Sequence, residues 1–334
     1  MIVENEIAKQ QLVSLLKTRR AVLLAGSGSS RFVGYPLWYQ LVEDLRERFA
    51  PHLIWSDNIS PMTFAGEIVN EIKKAKRLPD YYNFLERKFG PLPDRARLHD
   101  EFHIALVQLG FCGLVTTNYE DVIESAVAEA FMSDLGPFRC TSIDLCQKRV
   151  YKVFDFFRSL SLGEKPRSVL HLHGYYTNPE GIILTEEDYK KKYGEQPNYD
   201  ADGNAQNIVL DSLHRKVLWA LFAAHPPVFV GFSLHDDFFM HMLRVVQGDF
   251  ELGSDLTHFA LMPFTTEADK QRTWEHLRQL NTMPVFYHVP EIKSAGEEHD
   301  HSDVKRLVYD LAEKVGVSFI SSGITSINQR MLEL

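Results

Sequence analysis

Four short clusters in this 334-residue chain combine residue types that do chemistry with places where a chain turns. The first is Gly26-Ser27-Gly28-Ser29-Ser30, directly after the apolar run AVLLA of residues 21–25. Glycines there let the backbone approach a phosphate, and a following helix start points free N–H groups at the anion. A plain Gly/Ser connector has the same composition, and Arg31 stands where a GxGxxG pattern has its third glycine. A dehydrogenase also needs an acid closing a second strand about 20 residues on. Glu43 and Asp44 fall instead within a helical pattern, which disfavours hydride transfer.

The second cluster is Thr116-Thr117-Asn118-Tyr119-Glu120-Asp121, where an apolar run gives way to a helix. Polar side chains at such a corner face a cleft, although Thr117, Asn118 and Asp121 also serve as simple helix caps. In Leu170-His171-Leu172-His173-Gly174 the histidines alternate with leucines, so they lie on one strand face and can share a metal in principle, with no third ligand nearby. A strand histidine is usually a satisfied core residue, but His173, just before the glycine at the sheet's edge, could reach a substrate as a general base. The fourth cluster, in VFVGFSLHDD, offers Gly231 and Ser233 to a phosphate or ribose. Its His235, Asp236, Asp237 and the nearby His241 hint at metal, but acids in a helix's first turn are ordinary.

Runs at Ala21–Ala25, Cys112–Thr116, Val169–Leu172, Val228–Phe232, His258–Met262 and Val285–Val289 are rich in Val, Ile, Leu and Phe and read as buried strands. Between them, Leu37, Trp38, Leu41, Val42, Leu45 and Phe49 recur at the spacing of one helix face. Further helices are expected over 122–131, 208–222 and 304–315. Alternation of this kind predicts an α/β fold, with a mostly parallel sheet covered by helices on both faces. Residues 52–105 look helical throughout and 134–167 aromatic-rich without period, so both read as insertions roofing the sheet's carboxyl edge. Residues 190–207 are polar with Gly, Pro and Asn and read as a loop. The expected organisation is one domain over 1–290 and a C-terminal helical extension over 291–334, a possible assembly element.

Composition narrows the classes. Hydrophobic residues make up 45 % and the formal charge is −9, so a large core forms and phosphate backbones are repelled. The basic run at Lys73, Lys74, Lys76 and Arg77 reads as a solvated face, and no nucleic acid is expected as a direct partner. Three cysteines without a C-x-x-C pair encode neither a disulfide framework nor a zinc ribbon. No signal segment or membrane span is legible, so a cytoplasmic location is expected.

Taken in order, G-S-G-S-S followed by Gly34-Tyr35-Pro36, then T-T-N-Y-E-D, L-H-G and G-F-S, the set resembles the sirtuin fold. More closely, it resembles the sirtuin-like proteins of bacterial anti-phage defence, over about residues 20–240. The resemblance implies a Rossmann-like domain binding NAD, with the helical insertions as a smaller lobe. It assigns Gly26, Gly28 and Ser30 to the pyrophosphate and Gly231 and Ser233 to the adenosine side, and counts Pro36 among the NAD-binding residues. Asn118 would position a water or the nicotinamide ribose, and His173 would take the proton. The family commonly has Asp two residues past the asparagine; here Glu120 is followed by Asp121, which leaves open which of the two meets the nicotinamide amide.

Deacylating sirtuins carry a four-cysteine zinc ribbon, so with no metal expected the resemblance favours cleavage of NAD to nicotinamide and ADP-ribose, in abortive infection. An unregulated NADase kills its host, which implies homo-oligomeric assembly or a partner encoded nearby: a HerA-type ATPase, a short Argonaute or a nucleotide-sensing protein. The alternatives are a non-catalytic NAD or ADP-ribose sensor, which needs no base, and a zinc-less deacylase.

Overall fold

The computed structural model describes residues 2–56, 58–91, 98–132, 140–147, 150–161, 165–194, 212–232, 234, 237–251, 257–291 and 300–317. Seven strands form one sheet: β1 (Val22–Ala25), β2 (Gly113–Thr116), β3 (Thr141–Asp144), β4 (Ser168–His171), β5 (Pro227–Val230), β6 (His258–Phe264) and β7 (Thr282–His288). Every pairing is parallel and the order is β3-β4-β2-β1-β5-β6-β7. The six expected strands are present, with ends shifted by a few residues.

The apolar runs serve two cores at once because successive side chains leave opposite faces of a strand. Val22 and Leu24 of β1 join one core with Val115, Leu170 and Phe229. Leu23 and Ala25 join the other with Leu114, Val169 and Val228. A third core fills a helical lobe, where Leu41, Val42 and Leu45 of the Trp38–Phe49 helix meet Phe64, Ile68 and Leu85 from the helices Pro61–Lys74 and Leu78–Phe89. Ser60 caps the first of these two by accepting from Thr63 N at 3.1 Å, and Pro61 opens it.

Three expectations are corrected. The described part of 134–167 does not roof the sheet. It supplies the edge strand β3 and the Val150–Leu160 helix, whose Phe156 and Leu160 sit in the first core close enough that a Cβ on Gly113 would lie 2.3 Å from Leu160. Only four residues long, with Thr141 exposed, β3 has no apolar run to betray it. Within 52–105, the Glu101–Val107 helix belongs to the second core rather than to the lobe. Lys190–Tyr193 complete the Glu186–Tyr193 helix, stopped by Gly194 at φ +76°, while 195–207 lie outside the described residues.

The Asp303–Val315 helix, placed by sequence in an extension, is docked in the second core through Val304, Leu307, Val308 and Leu311. It lies against the Ile2–Lys17 helix, whose Ala8, Leu12 and Leu16 are fully buried at a four-residue spacing. No described helix is long and apolar enough to cross a membrane.

Candidate active site

After β1 the chain passes to β2 on one side and later to β5 on the other, so the strand order reverses at β1. In an open parallel sheet this switch point is where ligands bind, outside the carboxyl ends. Register makes four strand ends level, because Ala25 pairs with both Thr116 and Val230, and Thr116 with His171. Main-chain bonds extend the alignment one residue further: Gly26 N donates to Val230 O at 2.9 Å and Thr117 N to Ala25 O at 3.1 Å.

A cavity of about 480 Å³ opens above these corners, within the range of small-molecule sites. Gly26, Ser30, Pro36, Asn118, Glu120, His173 and Gly231 all line it, under a roof that includes Trp38, Met62 and Phe89 of the lobe. All seven are among the candidate site residues named from the sequence above. Gly28 lines a second cavity of about 220 Å³, shared with Ser27 and Gly231 and extending to Leu261, Tyr287 and His301. Ser233, His235 and Asp236 lie outside the described residues.

Geometry sets the two acids apart. Asp121 does not line the cavity; it accepts from the hydroxyls of Tyr175 and Tyr176 at the start of the Val122–Ala130 helix. Glu120 is buried, lines the cavity and accepts from Ser30 Oγ. Burial pushes the Glu120 carboxyl above its usual range, although the Ser30 hydroxyl pulls the other way.

Asn118 is held through its nitrogen. Nδ2 donates to Gly26 O at 3.2 Å and to Ser30 Oγ at 2.9 Å, and lies 3.1 Å from Glu120 Oε1. Its Oδ1 is buried and has no partner among the described residues. His173 is in the same condition, with Nε2 buried and without a described partner. Its Nδ1 stands 3.4 Å from Tyr189 Oη, and the rings of Tyr189, Tyr193 and Phe239 surround it edge-on. Burial, with His214 nearby, pushes the His173 pKa down to about 3, so the imidazole is neutral at physiological pH.

The two histidines expected on one strand face part company. β4 ends at His171, whose Nε2 donates to Glu124 Oε1 at 2.6 Å, and no described group of side chains is arranged to hold a metal.

Other supports carry little local sequence signal. His103 reaches the Gly26–Ser30 turn from the Glu101–Val107 helix, its Nε2 donating to Ser29 O at 3.0 Å. Behind it, Asp100 accepts from His103 Nδ1 and Lys305 Nζ, each at 2.6 Å. Burial opposes charge on Asp100, but His103 and Lys305 outweigh it and hold the carboxyl well below the usual range. Tyr189 is delivered by a helix capped by Thr185, which accepts from Asp188 N at 3.2 Å. An acid three residues after a threonine was the one legible sign of that helix start.

The glycines have a structural reason of their own. A Cβ on Gly26 or Gly28 would come within 2.6 or 2.9 Å of Gly231 O, so these corners touch backbone to backbone.

Comparison with known proteins agrees with this architecture. A family model described as "SIR2-like domain" matches residues 113–281, which takes in the corners after β2, β4 and β5 but not the Gly26–Ser30 turn. The chain is also similar to a Bacillus subtilis protein named "Defense-associated sirtuin 2". The two are 21 % identical over 265 residues, covering 75 % of this chain and 22 % of that protein. The chain therefore spans about a fifth of the length of this relative.

Proposed function

The chain belongs to the SIR2-like domain family, and from that premise we propose that its cleft binds NAD+ and hydrolyses it to ADP-ribose and nicotinamide. One observation carries the reading: two buried polar atoms without described partners, Asn118 Oδ1 and His173 Nε2, belong to side chains lining one cavity. Buried polar atoms are rarely left unpaired, so a missing ligand or water is the economical explanation.

The nicotinamide end of the substrate fits the larger cavity, with Glu120 as acceptor for its amide. The pyrophosphate lies across the Gly26–Ser30 turn, and the adenosine toward the second cavity beyond Gly231. The bond from ribose C1′ to the ring nitrogen breaks, and its electron pair neutralises the pyridinium, so the leaving group needs no proton. A water oxygen bonds to C1′. Asn118 Oδ1 orients that water or the ribose hydroxyl, and neutral His173 accepts the proton released. Orientation together with a base of this kind supplies roughly 10²- to 10⁴-fold.

We assign the protein to defence, the role in the name of its Bacillus relative, and, following the motif resemblance, to defence against phage, with activity gated by self-assembly or by a partner protein. The test is nicotinamide release from NAD+ by wild type, Asn118→Ala and His173→Ala, alone and with the product of a neighbouring gene. Loss of at least about 10²-fold in both variants, with melting temperatures retained, is expected. Full turnover in either variant removes that residue from the mechanism, and wild type inactive in every arm removes the reading.

A further inference from the structure

Asn118 is fixed at every polar group except one. Its backbone N–H donates to Thr116 Oγ1 at 3.0 Å, and its Nδ2 has the three partners described above. Its backbone carbonyl accepts from His171 Nδ1 at 2.8 Å. Oδ1 alone is left for a ligand. The last of these fastenings comes from another corner, since His171 closes β4 while Asn118 follows β2.

The His171 ring is itself over-determined. It is fully buried, with a carbonyl at Nδ1 and the Glu124 carboxylate at Nε2. A carbonyl oxygen only accepts, so Nδ1 carries hydrogen, and with Nε2 donating to Glu124 Oε1 as well the imidazole is a cation. Burial opposes that charge, but Glu124 and the Asn118 carbonyl outweigh it and raise the pKa to about 9. Neither residue lines the cavity, and neither has a task in the chemistry proposed above.

We propose that His171 and Glu124 form a positioning pair: Glu124 orients the ring, and the ring clamps the Asn118 main chain so that Oδ1 is presented at a fixed point in the cleft. The inference rests on the reading of Asn118 as the group that orients the reacting water or ribose. It differs from a purely stabilising ion pair because what matters is the donor at Nδ1, not the charge.

Two double variants separate these roles. Asparagine shares histidine's geometry out to Cγ, so in His171→Asn/Glu124→Gln an Nδ2 donor stands where Nδ1 stood. His171→Leu/Glu124→Gln keeps comparable volume without a donor. Both lose the ion pair equally. We expect the Asn-bearing variant to keep kcat within about threefold of wild type. The Leu-bearing one should fall on the order of 10²-fold, as a misplacement of about 1 Å at a site costs, with KM changed little and similar melting temperatures. Independently of turnover, the Asn118 carboxamide NMR signal, assigned by Asn118→Asp, should stay sharp in the first variant and broaden in the second. In wild type, both His171 ring nitrogens should be protonated at neutral pH.

Equal kcat and equal Asn118 signals in the two double variants overturn the inference, as does a wild-type ring without a proton on Nδ1. Should the double variants not fold, the wild-type ring protons decide. Wild type that neither binds nor cleaves NAD+ takes down the functional reading and this inference with it; active wild type with indistinguishable double variants takes down the inference alone.

Discussion

Gly231→Ala tests the contact on which the whole site is built. Gly231 has φ +65°, and a Cβ added there would lie 2.2 Å from Ser29 N, 2.8 Å from Gly28 C and 3.0 Å from Ser29 Cα, all main-chain atoms. A side chain in the left-handed region costs about 1–2 kcal/mol, and forced overpacking typically 1–3 kcal/mol more. The loss, of the order of 2–5 kcal/mol, is less than most domains possess, so the variant folds. At roughly 2–4 °C per kcal/mol, its melting temperature falls by about 4–20 °C. Relief requires the Gly26–Ser30 turn to retreat by about 1 Å, carrying with it the Gly26 carbonyl and Ser30 hydroxyl that hold Asn118, and such a shift costs on the order of 10²-fold in rate. Gly248 is the control. It lies in the Asp237–Asp249 helix with nothing within 4 Å of a new Cβ, so Gly248→Ala should gain about 0.5–1 kcal/mol and leave turnover alone. Differential scanning fluorimetry and nicotinamide release measure both effects. A Gly231→Ala protein that melts and turns over like wild type would refute backbone contact between the two corners.

Further outcomes follow from buried titratable groups. Burial lowers the pKa of His173 and His214 to about 3 and of His258 to about 4, while unfolded histidine titrates near 6.5. These groups are depressed bases, so their stability contribution is intact above about pH 6.5 and is lost as pH falls toward 4; Glu120 and Asp121, shifted upward by burial, oppose the loss in part. His258→Phe should therefore flatten the denaturation free energy between pH 7 and 4 by roughly 3 kcal/mol; parallel curves for mutant and wild type would contradict this. The rate of NAD+ cleavage should show no imidazole step near pH 6.5, because His173 is already neutral there; a step that disappears in a His173 variant would sink its assignment as a neutral base. Burial also raises the thiols, Cys112 to about 11, Cys146 to about 12 and Cys140 further still, so none is a thiolate at neutral pH. Native protein should resist iodoacetamide at pH 7.5 with turnover unchanged, and rapid alkylation would show the thiols to be exposed.

The main outlines of the sheet were legible because strands buried on both faces must be continuously apolar, which leaves a mark in composition that tertiary context does not erase. Edge strand β3 left none, since Thr141 and Ser142 are not fully buried. The cleft corners were legible for a related reason: polar residues placed just after apolar runs stand at the sheet's carboxyl edge, where ligands bind. Thus Asn118, Glu120 and His173 could be picked out as neighbours of one cavity although His173 lies 55 residues beyond Asn118 in the chain.

What surrounds those residues could not be read. His103, His171 and Tyr189 come from a helix of the second core, the end of β4 and a helix beyond the third corner, and the first two support the site from 74 and 53 residues away in the chain. The residue types and their order along the chain determined which groups can do chemistry. Only the folded arrangement decided that Glu120 rather than Asp121 faces the cavity, that His171 supports a carbonyl while His173 lines the cleft, and that three glycines lie against one another. Hydrogen bonds and burial depend on distance in space, and a sequence records only distance along the chain.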